Sequence, residues 1–187
     1  MTAPVPAAQA AAMPDTIRVQ VREGSALVVR AVPLEDYVAA TILSEFDPAS
    51  GSTRTIESMY EVQAIVSRSY ALSRRARHGG EDFDVCATAE CQVYEPARLH
   101  TSRWAALARH AADETRGEIL TYDGAPAEAL FHADCGGHTS SAADVWGGAR
   151  VPYLVDDRDD VEHGHDDWTF QASAADVAAA LDADPRT

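Results

Sequence analysis

Two spacings of apolar residues divide the first part of the chain. From residue 16 to residue 32 apolar and polar positions alternate, with the turn-forming Glu23-Gly24-Ser25 in the middle. Alternation on both sides of a short glycine turn predicts a β-hairpin. Between Leu34 and Glu45 the apolar positions recur every three or four residues, which predicts a helix with one face on the core.

Three further helices follow from the same spacing. They are predicted at 56–77, at 102–115 before Gly117, and at 173–181. The middle of the first of these is apolar on most faces, so we expect it to be buried on more than one side. Its polar residues Gln63 and Arg68 then need hydrogen-bond partners, and are either structural or part of a cleft.

Strands and helices together predict an α+β fold. Two further strands, 118–122 and 128–133, are joined by a turn at 123–126. We expect helices packed around a small antiparallel sheet with a central cleft. A chain of 187 residues with 46% hydrophobic residues is long enough for one such domain. The Pro- and Ala-rich start, 1–14, is interpreted as a disordered leader, which leaves 15–187 for the domain.

The charge balance excludes some classes of partner. A formal net charge of −15 disfavours binding to nucleic acid or to an anionic membrane surface through bulk electrostatics. No run of about 18 apolar residues is present that would span a membrane. The start of the chain also lacks the basic and Leu-rich regions of a secretion signal, so no signal peptide is assigned.

Glu45 is the first residue singled out for chemistry, because its helix has to end there. Pro48 prevents helical continuation and pushes Asp47 toward extended geometry. A carboxylate at a helix C-terminus meets the unfavourable end of the helix dipole, and a cleft would add desolvation. Both effects oppose ionisation, as a general acid requires. The alternative is a solvated Glu at a frayed helix end.

The three cysteines, Cys86, Cys91 and Cys135, allow three interpretations. An odd number excludes a complete set of intrachain disulfides. A Cys86–Cys91 disulfide closes so small a loop that it stabilises by only about 2 kcal/mol, whereas a structural zinc ion contributes on the order of 10 kcal/mol. A zinc site, a disulfide with one free thiol, and three plain thiols all remain open. Candidate further zinc ligands are His78, Glu90 and His138.

The order and spacing of several motifs resemble the SpoIID/LytB domain, named for the stage II sporulation protein D. The resemblance covers 32–181, and this family comprises peptidoglycan lytic transglycosylases with amidase-enhancing relatives. The motifs are Leu34-Glu35-Asp36-Tyr37 before Ser44-Glu45, Val62-Gln63-Ala64 with Ser67-Arg68-Ser69-Tyr70, Cys86 with Cys91-Gln92-Val93-Tyr94, Thr115-Arg116-Gly117 with Leu120-Thr121-Tyr122, Cys135-Gly136-Gly137-His138-Thr139, and Val145-Trp146-Gly147 with Pro152-Tyr153-Leu154.

The resemblance implies a role for Glu45, which matches the family's catalytic glutamate. In such enzymes one acid protonates the glycosidic oxygen between N-acetylmuramic acid and N-acetylglucosamine. The resulting carboxylate then takes the proton of the muramoyl C6 hydroxyl, which attacks C1 and leaves a 1,6-anhydro end. Because an internal hydroxyl replaces water, a second carboxylate is not obligatory.

The resemblance also implies a zinc ion, since some members hold one near the active site with Cys and His ligands. Cys86 and Cys91 match that region, and Glu90 stands where the family usually has His. Cys135, His138 or His78 is expected to supply the remaining ligand.

Other site residues are candidates for binding the sugar. Arg68, His132 and His138 are candidates for orienting the sugar or the acid. Tyr94 and Trp146 are candidates for stacking on a pyranose ring, and packing is the alternative for both.

Two departures from the family pattern are relevant to substrate preference. Acidic Glu61 replaces a basic residue, and 51–54 lengthen the loop after Pro48. The chain also stops before the family's usual last strands, so we expect a C-terminally truncated fold.

The implied function is cleavage of peptidoglycan glycan strands, outside the cytoplasm at the cell wall or cell surface. One alternative is a non-catalytic module that binds cell wall and enhances a partner amidase. Another is a zinc-dependent amidase that cuts the stem peptide, which requires an open coordination position beside Glu45 or Glu90.

Overall fold

The computed structural model describes residues 13–75, 77–78, 80–132, 135–159 and 169–182. The chain forms two compact units, Met1–Phe131 and His132–Thr187. The predicted leader lies outside the described residues except for Met13 and Pro14. Met13 packs against the core of the first unit.

The predicted hairpin is confirmed. Strands β1 (Thr16–Glu23) and β2 (Ala26–Pro33) pair antiparallel over their whole length. The two-residue loop between them places Gly24 at φ 61°, a left-handed conformation that glycine adopts at little cost. A short strand, β3 (Val85–Cys86), pairs with β1 in parallel. The α+β class is confirmed, but this sheet is mixed because a helical crossover precedes β3.

Helix α1 (Leu34–Glu45) has the predicted bounds and follows β2 with no intervening residue. It packs against the helices that follow it along the chain. The sequence predicts burial of one face, but every residue over 37–43 is buried. Ala39 and Ala40 are among these buried residues, and side chains this small let a neighbouring helix pack closely.

The other helices of the first unit are α2 (Thr53–Arg74), α3 (Arg98–Thr101) and α4 (Ala105–Glu114). Helix α2 begins earlier than predicted because Ser52 caps it, its hydroxyl accepting the N–H of Thr55 at 3.2 Å. The sequence predicts that the middle of α2 is buried on more than one side. This prediction is wrong at Val62, which is 62% exposed.

A small second hairpin joins β4 (Thr121–Tyr122) to β5 (Ala125–Pro126). The turn is only Asp123 and Gly124, so β5 begins inside the longer turn that the sequence predicts. The predicted strand at 128–133 is wrong, because the described residues there, 128–132, lie in no strand.

The second unit contains α5 (Ala142–Trp146) and α6 (Ala174–Asp182). Ser173 caps α6 as predicted, accepting the N–H of Asp176 at 3.1 Å. No apolar residue is buried within the described parts of this unit, 135–159 and 169–182. Across all described residues, none of the helices has the length and apolar character needed to cross a lipid bilayer.

Candidate functional site

Glu45 is the last residue of α1. The helix ends there because Phe46 takes an extended conformation, with φ −143° and ψ 97°. The Glu45 side chain is half-buried, and its Oε1 accepts the backbone N–H of Val93 at 2.7 Å. The other oxygen, Oε2, has no hydrogen-bond partner among the residues that the structure describes. One oxygen is therefore held in place while the other remains available.

The backbone that donates to Glu45 belongs to residues 92–95, which we call the docked segment. At one end, the N–H of Glu95 donates to the hydroxyl of Ser44 at 3.0 Å. At the other end, the Tyr37 hydroxyl donates to Oε1 of Gln92 at 3.0 Å, in the core. Hydrogen bonds to α1 therefore fix the docked segment on both sides of its contact with Glu45.

The loop that leaves α1 is also held. Asp47 accepts hydrogen bonds from the Ser102 hydroxyl at 3.0 Å and from Arg98 at 3.3 Å. Arg98 also donates to Glu95 of the docked segment at 2.7 Å. The indole N–H of Trp104 donates to the Pro48 carbonyl at 2.9 Å. A single arginine thus connects the two chain segments that flank Glu45.

A cavity of about 430 Å³ lies at the other end of α1. Its lining includes Leu34, Glu35 and Asp36 from the first turn of α1, with Arg109 and Asp113 from α4. Glu45 is not part of this lining, whose nearest residue on α1, Ala39, lies about 9 Å before Glu45 along the helix. The cavity is therefore separate from the surroundings of the candidate acid.

His78, Cys86 and Cys91 form a cluster in which one potential metal-ligand atom from each residue lies within 4.8 Å of the others. Both cysteines are free thiols, with their sulfur atoms 2.8 Å apart. His78 Nε2 lies 3.3 Å from Cys91 Sγ, while its Nδ1 lies 2.8 Å from the Glu81 carboxylate. Two thiols and an imidazole suit Zn²⁺, and a carboxylate on the second ring nitrogen is typical of zinc-binding histidines. These three residues are ligands of the kinds that Zn²⁺ takes, one fewer than the four of a structural zinc site.

The cluster lies next to the docked segment along the chain. Burial and the side-chain hydrogen bond between the two thiols raise the pKa of the Cys91 thiol to about 12, although the backbone N–H of Cys86 that donates to Cys91 Sγ opposes this. A bound Zn²⁺ would oppose this by stabilising the thiolate. Cys91 immediately precedes the docked segment, so whatever holds its sulfur also fixes the start of the segment that contacts Glu45.

Two of the predicted additional ligands have other partners in the described structure. The carboxylate of Glu90 lies 3.6 Å from the guanidinium of Arg77. Cys135 belongs to the second unit, where its thiol donates to Asp159 at 3.4 Å. Of the residues expected beside Cys86 and Cys91, the described structure brings His78 to them.

Arg68 is a structural residue, and its predicted role in orienting the sugar is wrong. The side chain is fully buried, and two of its nitrogens bind the Glu35 carboxylate at 2.5 and 3.2 Å. It also donates to the carbonyls of Ala112 and Glu118 at 3.0 and 3.1 Å. Arg68 joins α1, α2 and α4 and has no surface to offer a ligand.

Tyr94 is likewise a packing residue, and its predicted role as a sugar platform is wrong. It is 8% exposed and stacks on Tyr37 with ring centroids 5.3 Å apart. Burial and, to a smaller extent, the charge of Asp36 raise its pKa. Tyr37 covers one face of the ring, and too little of the residue is exposed to stack on a pyranose.

The remaining candidates lie in the second unit. His132 and His138 are exposed, and His138 Nδ1 lies 2.7 Å from the carbonyl of Thr139. Trp146 ends α5 and is 70% exposed. An exposed indole on a short helix can stack on a sugar ring, so Trp146 stays a predicted platform and the two histidines stay predictions.

The main contact that the sequence did not reveal is the backbone N–H of Val93. A backbone donor leaves no residue-type signature, so composition and spacing cannot find it. A weaker signal was present, since Ser44-Glu45 and the run from Cys91 to Tyr94 are both among the motifs that the family resemblance rests on.

Comparison with known proteins identifies relatives of this chain. The family model for SpoIID, the stage II sporulation protein, matches residues 22–122, more than half of the chain. An uncharacterized protein of Brachyspira hyodysenteriae is 36% identical over 129 residues, 68% of this chain and 32% of that protein.

Two Bacillus subtilis proteins are also similar. Stage II sporulation protein D is 29% identical over 67% of this chain and 38% of its own length. An amidase enhancer is 28% identical over 67% of this chain and 16% of its own length. The chain therefore spans between 16% and 38% of the length of the curated relatives it matches here.

Proposed function

Because this chain belongs to the SpoIID family of stage II sporulation proteins, we propose that it is a peptidoglycan lytic transglycosylase with Glu45 as its acid and base. Family membership and the similarity to stage II sporulation protein D and to an amidase enhancer support a function related to the cell wall. The observation that carries the finer proposal is the Glu45 carboxyl group, held through one oxygen by Val93 at 2.7 Å. The substrate would be the glycan strand, met at the wall outside the cytoplasm.

The reaction needs one group that first gives and then takes a proton. Protonated Glu45 would donate to the oxygen between N-acetylmuramic acid and N-acetylglucosamine as the bond to C1 breaks. The carboxylate would then accept the proton of the muramoyl C6 hydroxyl as that oxygen bonds to C1. The proton count returns to its start, and the product is a 1,6-anhydro end. Oε2 is the oxygen available for both transfers, since Oε1 is bound to Val93.

The cluster of His78, Cys86 and Cys91 is proposed to hold a structural zinc ion. When bound, the ion would cross-link the loop that carries Cys91 and so restrain the docked segment. The chain's own residues would still perform each proton transfer, because the acid is Glu45 and not a metal-bound group. Metal content and free thiols measured together on the purified protein separate zinc from a Cys86–Cys91 disulfide.

The test is digestion of peptidoglycan by wild type and by Glu45→Gln, with mass spectrometry of the products. Anhydro-muropeptides are expected from wild type and a loss of about 10²–10⁴-fold in the variant, the range for one acid–base group. The matched control is Glu114→Gln, the same change at the last residue of α4, where the side chain is 64% exposed. Equal activity of Glu45→Gln and wild type would overturn the assignment.

A second function is favoured by the similarity to an amidase enhancer. In that reading the chain binds cell wall without cutting it and stimulates a partner amidase. No anhydro ends from any variant, together with pelleting on insoluble peptidoglycan, would support it. Release of free stem peptides that a chelator abolishes would instead indicate a zinc amidase.

A further inference from the structure

Tyr37 contacts both residues that flank Val93 in the docked segment. Its hydroxyl donates to Gln92 at 3.0 Å, and its ring stacks on Tyr94 at 5.3 Å with the two planes 27° apart. Tyr37 is on α1, the helix that carries Glu45, and is fully buried. The helix that ends in the candidate acid therefore also sets the position of the backbone that binds it.

Gln92 is an unfavourable residue for the stability of the core. It is 1% exposed, and its Nε2 has no hydrogen-bond partner among the described residues. A buried amide with an unpaired donor destabilises the fold, whereas an apolar side chain of similar size leaves no donor unpaired. Stability alone does not explain an amide here, but a need for a directional contact with Tyr37 does.

We propose that the Tyr37–Gln92 hydrogen bond is a positioning contact that sets the docked segment against α1, so that Val93 N–H binds and orients the Glu45 carboxyl group. The inference rests on the proposed role of Glu45. Ring stacking holds Tyr94 in the plane of contact but permits sliding, while a hydrogen bond fixes the position along the segment. The Ser44–Glu95 contact at 3.0 Å closes the other end.

The effect of losing this contact follows from the geometry that proton transfer requires. Catalytic groups must be held to about 0.5 Å, and a displacement of about 1 Å can cost 10²-fold in rate. Tyr37→Phe removes the hydroxyl and keeps the ring, so the packing against Tyr94 remains. We expect kcat on soluble glycan fragments to fall about tenfold or more, with KM changed less than about twofold.

The chain offers a matched control in Tyr60→Phe. Tyr60 is also a fully buried tyrosine, but its hydroxyl has no hydrogen-bond partner in the described part of the chain. The same atom is removed from the same core without touching the docked segment. Gln92→Leu, which removes the acceptor at similar volume, serves as the second variant if Tyr37→Phe does not fold.

The experiment pairs kinetics with the amide resonance of Val93 in a ¹H–¹⁵N spectrum. Glu45→Gln gives the reference shift for a Val93 amide that has lost a carboxylate acceptor. The proposal predicts a Val93 shift in that direction and a fall in kcat for Tyr37→Phe or Gln92→Leu, and neither for Tyr60→Phe. An unmoved Val93 amide, an unchanged kcat, or an equal loss in Tyr60→Phe would overturn it.

Failure of the proposed function would look different. If wild type yields no anhydro ends, the transglycosylase assignment is lost, and the Val93 amide alone then decides whether the Tyr37–Gln92 bond positions Glu45. A Val93 shift in Tyr37→Phe would keep the positioning contact, and its absence would remove that contact as well.

Discussion

The two ends of α1 each carry a glutamate, and the protein binds them in opposite ways. Glu35, in the first turn, receives two hydrogen bonds from the fully buried Arg68. Glu45, the last residue, receives one backbone N–H and keeps Oε2 without a partner among the described residues. The helix dipole favours negative charge at the first position and opposes it at the second.

The contrast shows how similar side chains on one helix serve different ends. A carboxylate whose hydrogen bonds come from a buried guanidinium contributes to the fold, because removing either group leaves the other charge without its partner. A carboxylate held by one neutral donor is oriented but not saturated, so it can still exchange a proton with a ligand. Sequence pattern alone would treat both as acidic residues on the same helix.

The largest effect is expected from breaking the saturated pair. Glu35→Gln leaves the Arg68 charge buried without its partner, which should lower the free energy of unfolding by about 3–5 kcal/mol. Glu45→Gln should lower it by about 1 kcal/mol or less, because an amide oxygen can still accept from Val93. Urea unfolding at pH 7 measures both. If Glu45→Gln proved as destabilising as Glu35→Gln, Glu45 would be a structural residue and the comparison would fail.

Metal removal should affect one end of α1 and spare the other. With zinc at about a hundred times its dissociation constant, a chelator should cost about 2.7 kcal/mol of stability. Hydrogen exchange should increase at Val93, next to the cluster along the chain, more than around Arg68. Cys91→Ser should reproduce the loss and no longer respond to chelator. If a chelator leaves the free energy of unfolding of the wild-type protein unchanged, the proposed zinc ion is absent.

Acid pH should affect a third carboxylate, Asp84, which is buried and, like Glu35, paired with an arginine. Burial opposes its ionisation, but hydrogen bonds from Arg18 and the charge of Arg75 outweigh burial and lower the pKa of Asp84. A carboxyl whose pKa falls on folding adds stability above its unfolded pKa of ~3.9 and loses it as the pH falls through the folded pKa.

Asp84→Asn should therefore cost about 1–2 kcal/mol at pH 7, the range for lost hydrogen bonds to a charged group. The difference from wild type should shrink below about pH 4, as wild-type Asp84 becomes protonated. Asp82→Asn is the control, since this carboxylate also binds Arg18, at 2.8 Å, but is almost fully exposed. A pH-independent cost for Asp84→Asn would mean that its charge contributes nothing.

The smallest effect on stability is expected at Trp146. Its side chain is 70% exposed, so Trp146→Ala should change the free energy of unfolding by about 0.5 kcal/mol or less. If Trp146 is a sugar platform, Trp146→Ala should weaken binding to insoluble peptidoglycan by about 1–3 kcal/mol, as for other aromatic stacking. Co-sedimentation at several peptidoglycan concentrations measures this loss. Unchanged sedimentation would leave the indole without a part in binding.

Local rules predicted the elements that local interactions determine. The bounds of α1 follow from its apolar spacing and from Pro48, and the first hairpin follows from alternation around Gly24. The strand placed at 128–133 failed because the turn after Tyr122 is shorter than its Gly- and Pro-containing sequence suggests. The length of so short a turn cannot be predicted from the types of its residues alone.

The site was predictable only in part, for a different reason. Glu45 at a helix end can be found from its own neighbours, whereas the pairing of Arg68 with Glu35 joins positions 33 residues apart. Likewise, Tyr94 stacks on Tyr37, which is distant in sequence, and His78 lies beside the thiols while Glu90 pairs with Arg77. Such pairings are decided by packing, so residue type and spacing leave them open.

The direct junction between Pro33 and Leu34 leaves no slack between the hairpin and α1. The first helical residue, Leu34, is held by a hydrogen bond from its N–H to the carbonyl of Asp15 at 2.9 Å. The rotational phase of the helix is thus inherited from the strand before it. One residue inserted at this junction would turn the whole helix by about 100° about its axis, so that the side chain of Glu45 would point in a different direction.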